Sequence, residues 1–280
     1  MEPSFARAVW RVMEPVHAVT YFADECVEAN RAVGLRGYWM GYFGSRAAPL
    51  GPVPAGVVEA TFYNFHPAMV RRAIPDAWGF AEPAAILQAR AEAAAKALRR
   101  LAPGVDEAAA ALNPGLAAAI EAADTPGRPL FGANRDLPMP EDPVQALWQA
   151  ATTLREHRGD GHVALLAAEG LDGCAVHVLL SAAEGVPAEL LQRTRAWSAE
   201  DWAAAVTRLA ERGLVTAEGA VTEAGRALRA SIEARTDELA VDPYRVVPDP
   251  DGLVALLGAL ARDVAPAIGF PNPMGLPRPA

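Results

Sequence analysis

Residues 198–240 read SAEDWAAAVTRLAERGLVTAEGAVTEAGRALRASIEARTDELA, and this stretch decides the fold. Ser198 is followed three positions later by Asp201, which resembles a capping box with Asp where Glu or Gln is usual, so a helix is predicted over 199–212. Trp202, Val206 and Leu209 are spaced by four and three residues and form the inner stripe of this helix.

The residues after this helix predict a small wing. Two short segments, 213–216 and 220–222, flank a turn at Glu218 and Gly219, as in a two-stranded hairpin. Thr222 is then the expected N-cap of a helix that reaches about Leu239. Helix, helix, wing and helix is the order of a winged helix, and we place this element at about 187–240.

The rest of the chain also predicts helices, so the expected fold class is mainly α with two helical halves. Pro15 is interpreted as the first-turn proline of one helix. Asp142 is the expected N-cap of a helix that ends at Gly159, with two shorter helices at 161–169 and 173–184. Six prolines interrupt 102–141, so the predicted domains are 1–140 and 141–280. The second domain would carry the winged helix and a Pro-rich irregular tail at 269–280.

Composition narrows the classes of function. The chain has 280 residues, 34 acidic and 25 basic side chains, a net charge of −9 and 52% hydrophobic residues. The hydrophobic fraction argues against disorder, and the acidic balance argues against a general binder of phosphate backbones. We expect no membrane span and no secretory signal, hence a cytoplasmic protein. The two cysteines, Cys26 and Cys174, are read as buried thiols, with a redox pair as the alternative.

Four segments together resemble a known family. They are GYWMGYFGSRAAPLGPV at 37–53, FYNFHPAMVRRAIPDAW at 62–78, LREHRGDGHVALLAAEGLDGC at 154–174 and RLAERGLVTAEGAVTEAGRALRASIEARTDELA at 208–240. The chain is similar to an actinobacterial helix-turn-helix, or SalK-like, family. That resemblance implies an all-helical fold with a winged helix and a setting in secondary metabolism, and it implies no settled activity. The intervals Gly37 to Trp78 and Gly161 to Trp202 both span 41 positions, which suggests a duplication of the two halves.

The charges of the predicted recognition helix argue against DNA as a partner. Glu200, Asp201 and Glu211 outnumber Arg208 and Arg212, and the wing VTAEGAVTE contains two glutamates and no basic residue. Specific DNA contacts need Lys or Arg at these places. The sequence therefore argues against DNA binding, and the winged helix would instead serve packing, a homodimer or a partner protein.

The densest polar segment of the chain is LREHRGDGH at 154–162. Arg155 and Arg158 fall toward the apolar side of their helix, where each guanidinium needs a carboxylate or an anion. In one interpretation they pair with acids such as Asp160 or Asp24. In the other, Arg155, Arg158, Ser45 and Arg46 line one anion-binding pocket.

In that second interpretation His157, His162 and Asp160 perform acid–base chemistry. A metal site built from the same three residues lacks a helical ligand motif, so no metal is expected. Tyr42, Asn64 and His66 are the further candidate contacts of a substrate, although Tyr42 also fits a helix core and His66 a helix cap. The pair His17 and Tyr21, one helical turn apart, stays ambiguous, and His177 reads as a core histidine.

No nucleotide-binding glycine motif and no G-x-S-x-G elbow occur, so no cofactor is expected. The first hypothesis is a small-molecule enzyme of secondary metabolism that uses acid–base, displacement or elimination chemistry on a substrate bearing a carboxylate, sulfate or phosphate. It would be a lyase, hydrolase or cyclase without a redox cofactor. The alternatives are a ligand-responsive winged-helix transcription regulator and a non-catalytic binding or partner subunit.

Overall fold

A computed structural model describes residues 1–276 and 278, and it confirms the mainly α class. The α-helices are α1 (Pro3–Phe22), α2 (Asp24–Ala32), α3 (Gly37–Ala47), α4 (Ala55–Phe62), α5 (Pro67–Arg71), α6 (Ala77–Phe80), α7 (Pro83–Leu101), α8 (Val105–Ala122), α9 (Pro129–Arg135), α10 (Pro143–Ala168), α11 (Gly173–Glu184), α12 (Ala188–Arg195), α13 (Ala199–Glu211), α14 (Glu223–Val241) and α15 (Pro250–Ile268). Two 3₁₀ turns, Ala48–Leu50 and Asp242–Val246, complete the regular structure of these residues.

Three hydrophobic clusters fill the interior. The main core joins α1, α2, α7 and α8 to α10, α14 and α15, with Trp148 and Leu147 fully enclosed. An aromatic core around Phe43, Phe62 and Phe65 is built mainly by the segment from α3 to α6, with Ile86 of α7 and Leu130 of α9 added to it. A third cluster joins the end of α10 to α11, α13, α14 and the wing. The main core therefore takes residues from both sides of position 140, and the division into 1–140 and 141–280 stays a prediction.

Several helix ends lie where the sequence places them. The Asp142 carboxylate accepts hydrogen bonds from the backbone of Val144 and Gln145, and Thr222 caps α14 through Gly225 N. Ser198 and Asp201 form the reciprocal capping box at the start of α13. These caps confirm that short polar side chains satisfy the first unpaired N–H groups of each helix.

Other boundaries were predicted wrongly. The helix from Asp142 does not end at Gly159, because α10 continues through Gly159 and Gly161 to Ala168 and packs at both ends. Its predicted successor at 161–169 is therefore part of α10. The first-turn proline of α1 is Pro3, and Pro15 lies inside the helix.

The wing is reduced to a single antiparallel bridge between Val215 and Val221. Segment 269–276 contains no α-helix, which confirms the irregular tail there, and the rest of the predicted tail falls partly on 277, 279 and 280, outside the described residues. Gly37 is the first residue of α3, whereas Gly161 lies within α10. The predicted duplication stays a prediction.

Across 1–276 and 278, no single helix has the length and apolar composition needed to cross a membrane. Helices α10 and α11 pass that test only as a pair, and they are bent by 99° relative to each other.

Candidate functional site

A buried chain of charged side chains lies where α1, α3 and α10 meet. Arg46 from α3 binds Glu156 of α10 with both ends of its fork, at 2.9 Å for Nε to Oε1 and 3.0 Å for Nη2 to Oε2. Arg155 donates to the same carboxylate at 2.9 Å and to Glu14 of α1 at 3.1 Å. The order Arg46, Glu156, Arg155, Glu14 alternates in sign, as buried charges require.

The pKa values of this chain are set by opposing causes. Burial alone would raise the pKa of Glu156, but Arg155 and Arg46 hold it well below its usual range. Burial likewise opposes the charge of Arg46, while Glu156 raises the pKa of that guanidinium. Glu156, Arg46 and Arg155 are therefore charged at neutral pH, and the carboxylate of Glu156 is the shared counterion of the two arginines.

A small cavity lies beside this chain, and we call it the Arg90 cavity. It has a volume of about 10 Å³, which is room for about one ordered water. Its lining is almost entirely polar: His17, Thr20, Tyr21, Ser45, Arg46, Arg90, Asn134, Trp148, Thr152 and Glu156.

Arg90 of α7 differs from the other arginines of this region because it touches no carboxylate among the described residues. Its guanidinium donates to the Ser45 carbonyl at 2.9 Å, to Asn134 Oδ1 at 3.1 Å and to Gln149 Oε1 at 3.2 Å. Its Nε is buried without a partner among them. Burial lowers the pKa of Arg90 to about 10, so it still carries a charge at pH 7.

His17 and Tyr21 close the α1 side of the Arg90 cavity. His17 Nδ1 lies 2.9 Å from Thr152 Oγ1, and its Nε2 lies 3.0 Å from the Tyr21 hydroxyl. Burial and the nearby Arg155 lower the pKa of His17 well below its usual range, so the ring is neutral. The pair that the sequence left ambiguous is thus part of this cavity.

A second cavity shares Thr20 and Tyr21 with the first, and we call it the tyrosine cleft. It also has a volume of about 10 Å³ and is lined by Thr20, Tyr21, Val27, Asn30, Gly37, Tyr38, Gly41 and Tyr42. The rings of Tyr21 and Tyr42 lie 4.8 Å apart, and the Tyr38 hydroxyl donates to the Tyr21 carbonyl at 3.1 Å. Tyr38 is 39% exposed, so the cleft reaches the surface.

The predicted site residues divide into groups. Tyr42, Ser45 and Arg46 line the two cavities, and Arg155 binds the same Glu156 carboxylate as Arg46. Arg158 lies elsewhere and pairs with Glu233 at 3.1 Å and Asp237 at 3.0 Å. Among the described residues, neither Asp160 nor Asp24, the acids that the sequence suggested, pairs with Arg155 or Arg158.

The predicted acid–base residues do not line either cavity. The His157 ring packs edge-on against Phe131 at 4.9 Å, and burial lowers its pKa to about 3. Asp160 accepts from the backbone of Phe131 at 2.9 Å, and burial raises its pKa to about 6. His162 Nδ1 lies 2.9 Å from Thr236 Oγ1, and burial lowers its pKa to about 4.

Among the described residues, no group of three or more His, Cys, Asp or Glu is arranged to hold a metal ion. Cys26 and Cys174 are both free and buried, and burial raises the pKa of each thiol to about 12. These thiols are therefore protonated and unreactive at neutral pH.

Asn64 and His66 lie at the junction with the winged helix. The Trp197 indole donates to the Asn64 carbonyl at 3.1 Å, and the His66 backbone N–H donates to the Arg195 carbonyl at 3.0 Å. The His66 ring caps α5 by accepting from Ala68 N at 3.1 Å. Both residues thus join the first half of the chain to the turn between α12 and α13.

Helices α12 and α13 are the first two helices of the predicted winged helix. Ala196, at a φ of 61°, turns the chain between them, and Ala205 and Leu209 bury the inner side of α13. The outer side carries Glu200 and Glu211, which are exposed. Arg208 is bound to Asp172 at 2.7 Å, and Arg212 donates to the backbone carbonyls of residues 169 and 170.

An aromatic contact path joins the Arg90 cavity to this unit. The Arg46 guanidinium lies 4.2 Å from the centre of the Phe62 ring, and Phe62 stacks on Phe43 at 5.9 Å. Phe43 contacts Phe65 at 5.0 Å, and the Arg195 guanidinium lies 4.6 Å from the Phe65 centre. Arg195 is the last residue of α12, so the path ends at the first helix of the predicted winged helix.

Comparison with known proteins gives a family and no closer relative. The model of a helix-turn-helix family matches residues 6–271, nearly the whole chain, and this protein belongs to that family. No curated protein and no solved structure shows a significant match.

Proposed function

We propose that this chain is a ligand-responsive regulator of the winged-helix type, in which a small anionic molecule bound at the Arg90 cavity acts on the helix-turn-helix. One observation carries the proposal: the path Arg46, Phe62, Phe43, Phe65, Arg195 connects the cavity to the end of α12. A ligand that shifts Arg46 would move closely packed aromatic rings. Such rings can adopt only a few discrete packing arrangements, so the shift would be passed along the path.

Membership of a helix-turn-helix family supports the part of this proposal in which the chain recognises another macromolecule. The Arg90 cavity supports the part in which it binds a ligand. The second helix of a helix-turn-helix is the recognition helix, which contacts the bound macromolecule, and we assign that role to α13. The narrower kinship with SalK-like actinobacterial proteins, a role in secondary metabolism and a cytoplasmic location are parts of the same proposal.

The charge of α13 favours a protein partner or a second copy of this chain over DNA alone. Docking α13 in a groove would bring Glu200 and Glu211 toward phosphates, and the arginines at 208 and 212 already have partners. Like charges brought together at an interface cost several kcal/mol. We therefore propose that the winged helix does not hold DNA by itself at physiological salt.

Fluorescence anisotropy with the upstream DNA of the protein's own gene tests this output. We expect no complex at 150 mM salt, and we expect the double variant Glu200→Lys/Glu211→Lys to gain weak binding that salt suppresses. The variant shows that the surface is accessible to DNA. A salt-sensitive nanomolar complex of the unmodified protein would overturn the protein-partner output and establish a DNA-binding regulator.

A cofactor-independent enzyme acting on an anionic substrate is the second candidate. The observation that favours it is the pair of His17 and Tyr21 at the Arg90 cavity, since a neutral imidazole there can exchange a proton with a bound molecule. His157, Asp160 and His162 lie outside that cavity and add no support. Turnover that survives in a His157→Ala/His162→Ala variant and is lost in His17→Ala would favour this form of the enzyme.

A further inference from the structure

The chain after α15 reaches back to α11 and α12. We call residues 269–276 the C-terminal strap. Arg195, the last residue of α12, donates through Nη2 to the Pro273 carbonyl at 2.9 Å. A Cβ placed at Gly275 would lie 3.7 Å from Leu180 Cδ1, so this part of the strap lies beside α11. The strap thus lies against the two helices that precede α13.

The other side of the C-terminal strap is attached to the main core. Phe270 and Met274 pack against that core, and Leu276 is buried. Asn272 fixes the turn in between, because its Oδ1 accepts from the backbone N–H of Met274 at 3.1 Å and of Leu276 at 3.2 Å. The strap therefore connects the main core to α12, and a single buried amide side chain determines its shape.

Buried polar atoms without partners lie next to this contact. Among the described residues, Arg195 Nε and both ring nitrogens of His177 have no hydrogen-bond partner. Gly173, His177 and Leu180 are spaced by four and three residues, so they share one face of α11, and His177 lies one turn from the contact with the strap. Burial and the nearby Arg195 lower the pKa of His177 to about 3. Two polar side chains are thus enclosed here without full hydrogen bonding.

These unpartnered atoms make the closed position of the C-terminal strap less favourable. A buried polar atom without a partner loses its hydration and gains no hydrogen bond in return. Water would reach Arg195 and His177 once the strap moves away, and this hydration would offset part of the apolar contact that is lost. That contact is modest, since Asn272 and Leu276 are the only fully buried residues of the strap. The balance favours a strap that opens while the main core stays folded.

We propose that the C-terminal strap is a releasable element that holds α12 against the main core, and that its release loosens α12 and α13. Release would free the end of α12, where the Arg195 guanidinium also lies 4.6 Å from the centre of the Phe65 ring. This inference goes beyond the proposed function, because the strap acts on α12 whether or not a ligand occupies the Arg90 cavity.

Hydrogen exchange of the full chain tests the strap. Leu276→Asp places a charge at a buried position and should release the strap, so that amides in 188–195 exchange about tenfold faster or more, while those of α1 keep their rates. Leu256→Asp is the matched control, because Leu256 is 37% exposed, and it should leave 188–195 unchanged. If Leu276→Asp does not fold, Asn272→Ala, which removes the turn's hydrogen bonds, decides with the same measurement. Faster exchange in 269–276 with unchanged exchange in 188–195 would overturn the proposal.

A free peptide of residues 269–280 separates loss of the strap from a general loss of stability. Added in excess to the released variant, the peptide should restore slow exchange in 188–195, because it can take the place of the displaced segment. The same peptide with Asn272→Ala is the control and should bind about tenfold more weakly, since its turn is no longer fixed. No recovery with the unmodified peptide, or equal recovery with both peptides, would overturn the proposal.

Discussion

Glu156 shows how a single side chain determines the state of its neighbours. Its two oxygens are shared by Arg46 and Arg155, and it is 1% exposed. Burying Arg46, Arg155 or Glu156 without its partner would be unfavourable. A buried charge loses its hydration, and only the attraction of an opposite charge compensates for that loss.

Replacement of this acid should therefore be costly. We expect Glu156→Gln to lower the free energy of unfolding by about 3–5 kcal/mol, since Arg46 loses its buried counterion. Urea unfolding at pH 7 measures the change. The matched control is Glu169→Gln, which breaks the exposed pair with Arg235 and should cost less than about 1 kcal/mol. Similar losses in both variants would contradict a structural role for the buried ion chain.

At this scale the sequence reveals part of the site. Arg46 and Arg155 are expected to need an anion or an acid, and the structure brings them to one carboxylate. Arg90 carries no such signal, because it lies in the Ala-rich segment of α7 and looks like one more solvated charge. Glu14 follows a buried methionine in α1 and is equally inconspicuous. Only packing between distant helices shows that these side chains are buried.

At the scale of elements, caps were predictable and one helix end was not. The side chains of Asp142, Ser198 and Thr222 bind backbone N–H groups only two or three residues further along the chain. The local sequence is therefore enough to predict these caps. Gly159 looked like a terminator for the same local reason. However, α10 is fixed at both ends by different cores, and this tertiary packing outweighs the low helix propensity of two glycines.

The two glycines of α10 should respond differently to alanine. A Cβ at Gly159 would meet Glu156 Oε2 at 3.4 Å, an ordinary contact, so Gly159→Ala should raise stability by about 0.5–1 kcal/mol. A Cβ at Gly161 would lie 2.8 Å from Arg128 Nη1. Gly161→Ala should displace that guanidinium from the carbonyls of His157 and Leu239 and lower stability by about 1–2 kcal/mol.

Thermal and urea unfolding of the two variants measures this contrast. The same substitution two residues apart in one helix controls for helix propensity. An equal gain in both variants would mean that Arg128 moves away without cost, and an equal loss would contradict the ordinary contact at Gly159.

At the scale of the whole molecule, buried histidines set the response to acid. Burial lowers the pKa of His157, His162 and His177 to about 3, 4 and 3, against about 6.5 in an unfolded chain. Between these values the unfolded state binds more protons, so stability falls as the pH falls. Asp160 acts in the opposite direction, because burial raises its pKa to about 6 and its folded form takes up a proton first.

We therefore expect the free energy of unfolding to decrease between pH 7 and pH 5, by about 1–2 kcal/mol for each histidine at pH 5, with a smaller offset from Asp160. Urea unfolding at pH 7, 6 and 5 measures it. His157→Gln removes one of these titrations and should make the profile shallower, whatever its effect at pH 7. A flat profile for the unmodified protein would contradict neutral buried histidines.

Helix α10 has a mechanical consequence for the molecule. Its 26 residues give a rod of about 39 Å, and Trp148 lies near one end while Leu165 and Leu166 lie near the other. A tilt of about 3° about the end near Trp148 displaces the opposite end by about 2 Å. Any rigid tilt of α10 about that end would therefore displace Leu165 and Leu166, which pack in the third cluster, further than it displaces Glu156.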